Sequence, residues 1–247
     1  VWLNSSSASE RYSEALELFS QTLALKSDFP EAHILRGITY RRLDNEEDAI
    51  VAFNNATALY NATLKEDSQN IETINRRGMA YHLMERYEDA LNDFNMAIEL
   101  GKNQTFALIR RGITYGRMER YEEALTDFNH SIELDSGSAW TIATRGEIYR
   151  LIGNYEEAIT DLNRAIELDP NYDWAIAERG ENHRMMGNYK EALIDLNRAI
   201  ELNPDYDWAI AGRGATYNLK GQYEEALNEF NLAIELNPEY QWEIANR

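Results

Sequence analysis

Histidine, cysteine and carboxylate side chains build most catalytic and metal sites, and this sequence arranges none of them for chemistry. Its four histidines, His33, His82, His130 and His183, stand far apart in no metal-ligand spacing, and it has no cysteine. Thiol catalysis, disulfides and cysteine-based zinc sites are therefore excluded. His183 occupies a place where the sequence elsewhere carries Tyr149 and Tyr217, which predicts packing rather than chemistry. The acidic pairs Glu156-Glu157 and Glu224-Glu225 open predicted helices, where they complement the positive end of the helix dipole. No catalytic residue, metal or cofactor is expected.

The polar feature that does recur is an arginine, at Arg36, Arg77, Arg111, Arg145, Arg179, Arg213 and Arg247. An acid recurs further along at Asp93, Asp127, Asp161, Asp195 and Glu229, followed two residues later by an asparagine, in the series Asn54, Asn95, Asn129, Asn163, Asn197 and Asn231. A guanidinium meets a carboxylate at two points, with more geometric specificity than a point charge. Strict recurrence predicts a partly buried structural ladder that sets helix register. A ligand-binding arginine ladder is the alternative.

A repeat places these residues. Asn171–Pro204 is nearly copied by Asp205–Pro238, and at a period of 34 Gly146, Gly180 and Gly214 fall in register, as do Ala158, Ala192 and Ala226. Such a period signifies a stacked array. With Asp207 as position 1, Gly214 is position 8, Tyr217 position 11, Gly221 position 15, Tyr223 position 17, Ala226 position 20, Phe230 position 24, Ala233 position 27 and Pro238 position 32. That series resembles the tetratricopeptide repeat (TPR), a helix–turn–helix unit. One departure is systematic: the family's tryptophan at position 4 is Ile142, Ile176 or Ile210, and tryptophan stands at position 2 instead. The resemblance implies an all-α, right-handed superhelical solenoid of stacked antiparallel helix pairs.

Divided by this register, the chain reads as a frayed lead-in over 1–8 and a partial repeat, a second helix, over 9–29. Six repeats follow at 30–70, 71–104, 105–138, 139–172, 173–206 and 207–240, and 241–247 begins another. Gly37 and Gly78 are 41 residues apart, seven more than the period. Seven residues approximate two helical turns, so one lengthened second helix is expected over Asn45 to Lys65.

The resemblance also implies a concave face built from first-helix positions 2, 5, 6, 9, 12 and 13. In the first three repeats those positions include Ile34, Ile38, Arg41, Arg42, Arg76, Met79, His82, Ile109, Arg110, Ile113 and Arg117. This reads as an apolar floor with unpaired arginines, suited to an extended peptide carrying Asp, Glu or a terminal carboxylate. Later repeats carry aromatics at position 2, namely Phe106, Trp140, Trp174, Trp208 and Trp242, with Tyr172, Tyr206 and Tyr240 beside the last three. Inter-repeat packing and a binding platform both account for that stripe. Glu147 with Arg150, and Glu181 with Arg184, are spaced to neutralise one another. The lysine and asparagine clamp of the family's chaperone-binding members is absent, since position 5 is Ile34, Asn75, Ile109, Ala143, Ala177 and Ala211.

A net charge of −19 argues against a nucleic-acid partner, and no apolar run approaches membrane-spanning length. No signal peptide is visible, and a cytoplasmic location is favoured. The expected function is a non-catalytic protein- or peptide-binding scaffold. The alternatives are a sensor or regulatory arm of a larger enzyme or signalling ATPase, suggested by incomplete repeats at both ends, and a self-associating assembly module.

Overall fold

The computed structural model describes residues 4–101 and 105–237. The expectations placed on Pro238, Tyr240, Trp242, Arg247 and the further repeat at 241–247 lie outside the described residues. Thirteen α-helices and no strand are found among the described residues. The chain divides into two compact units, residues 1–134 and 135–247.

The first unit holds α1 (Asn4–Leu25), α2 (Pro30–Arg42), α3 (Glu46–Glu66), α4 (Ile71–Leu83), α5 (Tyr87–Leu100), α6 (Thr105–Arg117) and α7 (Tyr121–Leu134). Residues 4–8, expected as lead-in, already belong to α1. Helices α2 and α3, α4 and α5, and α6 and α7 form hairpins, and each hairpin packs on the next through its second helix. Pro30 starts α2 at a position where its missing N–H costs nothing. Asn45 and Asn70 cap α3 and α4, their side-chain oxygens accepting from Asp48 N and Thr73 N. Phe53, Phe94 and Phe128 fill the hairpins and are fully buried. Between hairpins, Ile74, Ala97 and Ala107 form a core closed by Leu64, Ile71, Met96, Ile98 and Leu100.

The second unit repeats this plan with α8 (Ala139–Leu151), α9 (Tyr155–Leu168), α10 (Asp173–Met185), α11 (Tyr189–Leu202), α12 (Asp207–Leu219) and α13 (Tyr223–Leu236). Leu162 and Leu196 stand where the first unit has phenylalanine. Asn203 and Asn237, each at the end of a second helix, donate to Asp173 and Asp207 at the start of the same hairpin's first helix, closing it at 2.9 Å. The turn inside each hairpin needs one residue in the left-handed region. Here the second unit uses Gly153, Gly187 and Gly221 (φ 83°, 79° and 76°), whereas the first unit forces Asp44, Glu85 and Glu119 into it (φ 54°, 58° and 58°).

The recurring arginines tie the two helices of a hairpin together. Arg77 donates from Nε and Nη2 to the two oxygens of Asp93 at 2.8 and 2.6 Å, and Arg111 does the same to Asp127. In the second unit Arg145 and Arg179 grip Asp161 and Asp195, while Arg213 holds Glu229 through Nη2 alone. The third donor, Nη1, reaches back to the preceding second helix, from Arg111 to Asn95, Arg179 to Asn163 and Arg213 to Asn197. Arg77 reaches Asn61, not Asn54. The two extra turns of α3 carry the register forward by seven residues, so the asparagine nearest α4 takes the role. Arg36 has no rung, because Ala52 stands where the acid belongs, and its Nε is buried without a hydrogen-bond partner.

Asp127→Ala, which strands a guanidinium whose side chain is only 20% exposed, is expected to destabilise the chain by about 3 kcal/mol. Ala52→Asp should supply the missing rung and stabilise by about 1 kcal/mol. Urea denaturation of both variants measures this, and a less stable Ala52→Asp would contradict the register assigned to Arg36.

Candidate functional site

Within the first unit, α2 and α4 present their first-helix faces to a cavity of about 690 Å³. Residues three and four apart on a helix share a face, so Glu31, Ile34 and Leu35 line it from α2, and Ile71, Glu72, Asn75, Arg76 and Met79 from α4. Tyr60 on α3 and Phe106 on α6 complete it. Tyr60 lies seven residues after Phe53 and hence on the same buried face of α3. Its burial pushes the phenol up to about 12, so the hydroxyl stays protonated. Asn75 is 8% exposed, and its Oδ1 is buried with no hydrogen-bond partner.

Of the residues expected in the groove, the cavity brings together Ile34, Arg76 and Met79. Met79 also borders a smaller cavity of about 50 Å³ with His82, Arg110 and Ile113. Ile38 is exposed on α2 and Ile109 half-buried on α6, and neither lines either of these two cavities. The expectation of unpaired arginines is overturned for two of them. Arg76 donates to Glu31 at 2.5 Å and to Glu72 at 2.7 Å. Arg41 turns away, its Nε and Nη2 held by Glu46 at 2.9 and 2.6 Å and its Nη1 by the carbonyl of Leu83. Carboxylates within reach of long side chains take up the charge. Arg110 lies over the Phe106 ring, 5.3 Å from its centroid. Arg42 and Arg117 are exposed.

Sequence reasoning passed over Tyr60, Glu31 and Glu72, and it met Asn75 only as a departure from a clamp. One signal was there: position 2 is glutamate in the first two repeats, at Glu31 and Glu72, before it becomes aromatic.

The second unit spends its first-helix polar residues on itself. Arg184 pairs with Glu181 through two contacts. Arg150 Nε donates at 2.8 Å to Glu178 on the next first helix, and Glu147 adds a favourable charge interaction with the same guanidinium. Burial pushes the Glu178 carboxyl up to about 7 against the pull of Arg150. Trp208 packs with Tyr206 against a core of Ile176, Ala177, Leu196, Ala199 and Ala209. Trp174 is half-buried beside Tyr172, ring centroids 5.8 Å apart, and Trp140 is 40% exposed on α8. Packing accounts for Trp208.

Among the described residues no group of three or more His, Asp or Glu could hold a metal ion, and no helix is long and apolar enough to cross a membrane. His183 sits with Nε2 3.9 Å from Asp195, in the packed interior of its hairpin.

His82 titrates in a telling way. Its Nδ1 lies 2.9 Å from Thr114 Oγ1, whose proton is already donated to Arg110 O, so the imidazole donates from Nδ1. Burial, then Arg117 and Arg110, push its pKa from 6.5 down to about 4. The unfolded chain takes up the proton first as pH falls, so the contribution of His82 to stability is present above pH 6.5 and lost towards pH 4. His82→Asn should therefore lower Tm most at neutral pH, with a deficit that shrinks on acidification. A deficit constant across that window would contradict a half-buried imidazole held neutral.

Family models described as tetratricopeptide repeat match residues 28–103, 107–137, 175–206 and 196–228, and one described as TPR repeat matches 146–187. No curated protein matches the sequence. Among solved structures, a tetratricopeptide repeat protein from Parabacteroides merdae is 22% identical, covering 92% of this chain and 87% of its own, with a TM-score of 0.65. MamA is 24% identical over 66% of this chain and 96% of its own, TM-score 0.57. YrrB, described as a TPR protein with an unusual peptide-binding site, is 23% identical over 74% and 94%, TM-score 0.56. At these identities the likeness shows the fold, that of a TPR solenoid. With its helix hairpins, its glycines and alanines recurring at one period and family matches along most of its length, the chain belongs to the tetratricopeptide repeat family.

Proposed function

We propose that the chain is a non-catalytic scaffold that binds a protein partner by seating an extended segment of it in the groove of the first unit. One observation carries this reading: an open and largely apolar cavity has in its wall Asn75, whose carboxamide oxygen is buried without a hydrogen-bond partner. A buried polar atom without a partner costs about 1–3 kcal/mol, and a peptide N–H would offset that cost once the carboxamide turns its oxygen into the cavity. A cavity of about 690 Å³ falls in the range that ligand sites occupy, roughly 300–1,000 Å³. The likeness to YrrB, whose description names a peptide-binding site, supports the same reading at the level of fold.

Asn75→Leu separates a binding role from a structural one. Leucine keeps the same branched, four-atom side chain with no polar atom to leave unpaired, and the adjoining cavity has room for its larger methyl groups, so the variant should melt at or above the parent's Tm. Peptides selected on the parent chain from a random phage-displayed library should bind the variant at least about tenfold more weakly. No enriched peptides, or unchanged binding by Asn75→Leu, would overturn the reading.

A further inference from the structure

The charges around the cavity do not favour the acidic peptide that the arginine-rich sequence suggested. Glu31 and Glu72 occupy the same repeat position on α2 and α4, and between them they hold both terminal nitrogens of Arg76. Two carboxylates against one guanidinium leave one negative charge in excess at the cavity mouth. The Glu72 side chain is 75% exposed, so it faces whatever approaches from solvent. Ile34, Leu35, Ile71 and Met79 form walls that carry no charge. The phenol of Tyr60 adds a hydroxyl and no charge. Arg110 borders the smaller cavity and stacks on the Phe106 ring rather than lining this one. A carboxylate ligand here would have to displace Glu31 or Glu72 from Arg76, while a cationic ligand meets an uncompensated carboxylate without breaking an ion pair. The chain's net charge of −19 acts in the same direction at longer range.

We infer that the groove of the first unit selects a peptide bearing one large apolar side chain with lysine or arginine beside it. The apolar side chain enters between α2 and α4, the peptide backbone passes the Asn75 carboxamide, and the cation lies against Glu72 and Glu31. This rests on the scaffold reading above and adds the charge of the ligand to it. Rim carboxylates act on encounter and specificity more than on raw affinity, so salt should weaken the preference.

Three synthetic probes test it, each nine residues long, acetylated, amidated and fluorescein-labelled. They share a central leucine in a Gly-Ser background and differ only in two flanking positions, which are Lys, Gln or Glu. At low salt, fluorescence polarisation should rank them Lys above Gln above Glu, the outer pair differing by about tenfold. A fourth probe with lysine flanks and central serine should bind at least about tenfold more weakly than its leucine counterpart. The double variant Glu31→Gln/Glu72→Gln leaves Arg76 uncompensated and should reverse the order. Both glutamates lie at the cavity rim, and an unchanged thermal melt confirms that the variant is folded. A Glu probe that binds the parent as tightly as the Lys probe, but loses affinity in Asn75→Leu, would overturn this inference and leave the scaffold reading standing. Loss of all leucine-probe binding, or equal binding of the serine probe, would overturn the inference together with the groove assignment.

Discussion

The fork of an arginine across its own hairpin fixes the geometry on which everything else depends. Arg77 can span from α4 to both oxygens of Asp93 only because the next residue is Gly78, where a Cβ would come within 2.8 Å of Phe94 and 3.1 Å of Asp93 Cβ. The missing side chain lets the two helices close, and the planar guanidinium then locks their relative height, since both N–H···O bonds are lost together if one helix slides by a residue. Taking such a pair out of water offsets much of the Coulombic gain, so net stability is a weak account of why it recurs. Register is a better one. The third donor, on Asn61 or Asn95, extends the same constraint to the preceding hairpin. First-helix faces are thereby held in a fixed relation, and a groove lined by α2, α4 and α6 can be rigid without metals or disulfides.

The lengthening of α3 is tolerable for a related reason. Seven residues advance a helix by nearly two complete turns, leaving its buried stripe only about 20° out of phase. Phe53 stays in its hairpin, and Tyr60 and Asn61 are delivered to α4 on the far side of the insertion. An insertion of five or six residues would have rotated that stripe towards solvent. The long helix thus adds a wall to the cavity that the ordinary repeat would lack, and it does so in the one place where the ladder also has to be re-registered.

Hairpins, turns, packing glycines and the arginine–acid fork were legible in the sequence because each depends on spacing within one repeat. The charge state of the groove was not. Arg76 meets Glu31 across 45 residues, Arg41 meets the Leu83 carbonyl across 42, and Arg150 meets Glu178 across 28, all through long side chains with several rotatable bonds. Local spacing suggested Arg150 with Glu147, and Glu147 does add to the charge around that guanidinium, but the 2.8 Å bond from Nε goes to the acid on the neighbouring first helix, which stacking brings within reach and buries. Asn54 was read as a rung for a similar reason: counting forward from the repeat start is correct only until the helix is lengthened.

The two units put one backbone plan to different uses. In the second, Glu178, Glu181, Arg150 and Arg184 satisfy one another, and Asn182, although its Oδ1 is unpaired, donates through Nδ2 to the Glu178 carbonyl and lines no described cavity. That asparagine is an interior residue with one unmet bond. Asn75 differs in the property that matters: it belongs to the wall of a cavity of about 690 Å³, so a turn of its carboxamide would bring the unpaired oxygen to a donor there. Folding alone gives no advantage to such an atom, since an apolar side chain of the same size would serve the core better. The first unit also tolerates Asp44, Glu85 and Glu119 in a backbone conformation that glycine occupies freely in the second. Both features cost the first unit stability, and of the two only the unmet acceptor lies beside the cavity between α2 and α4.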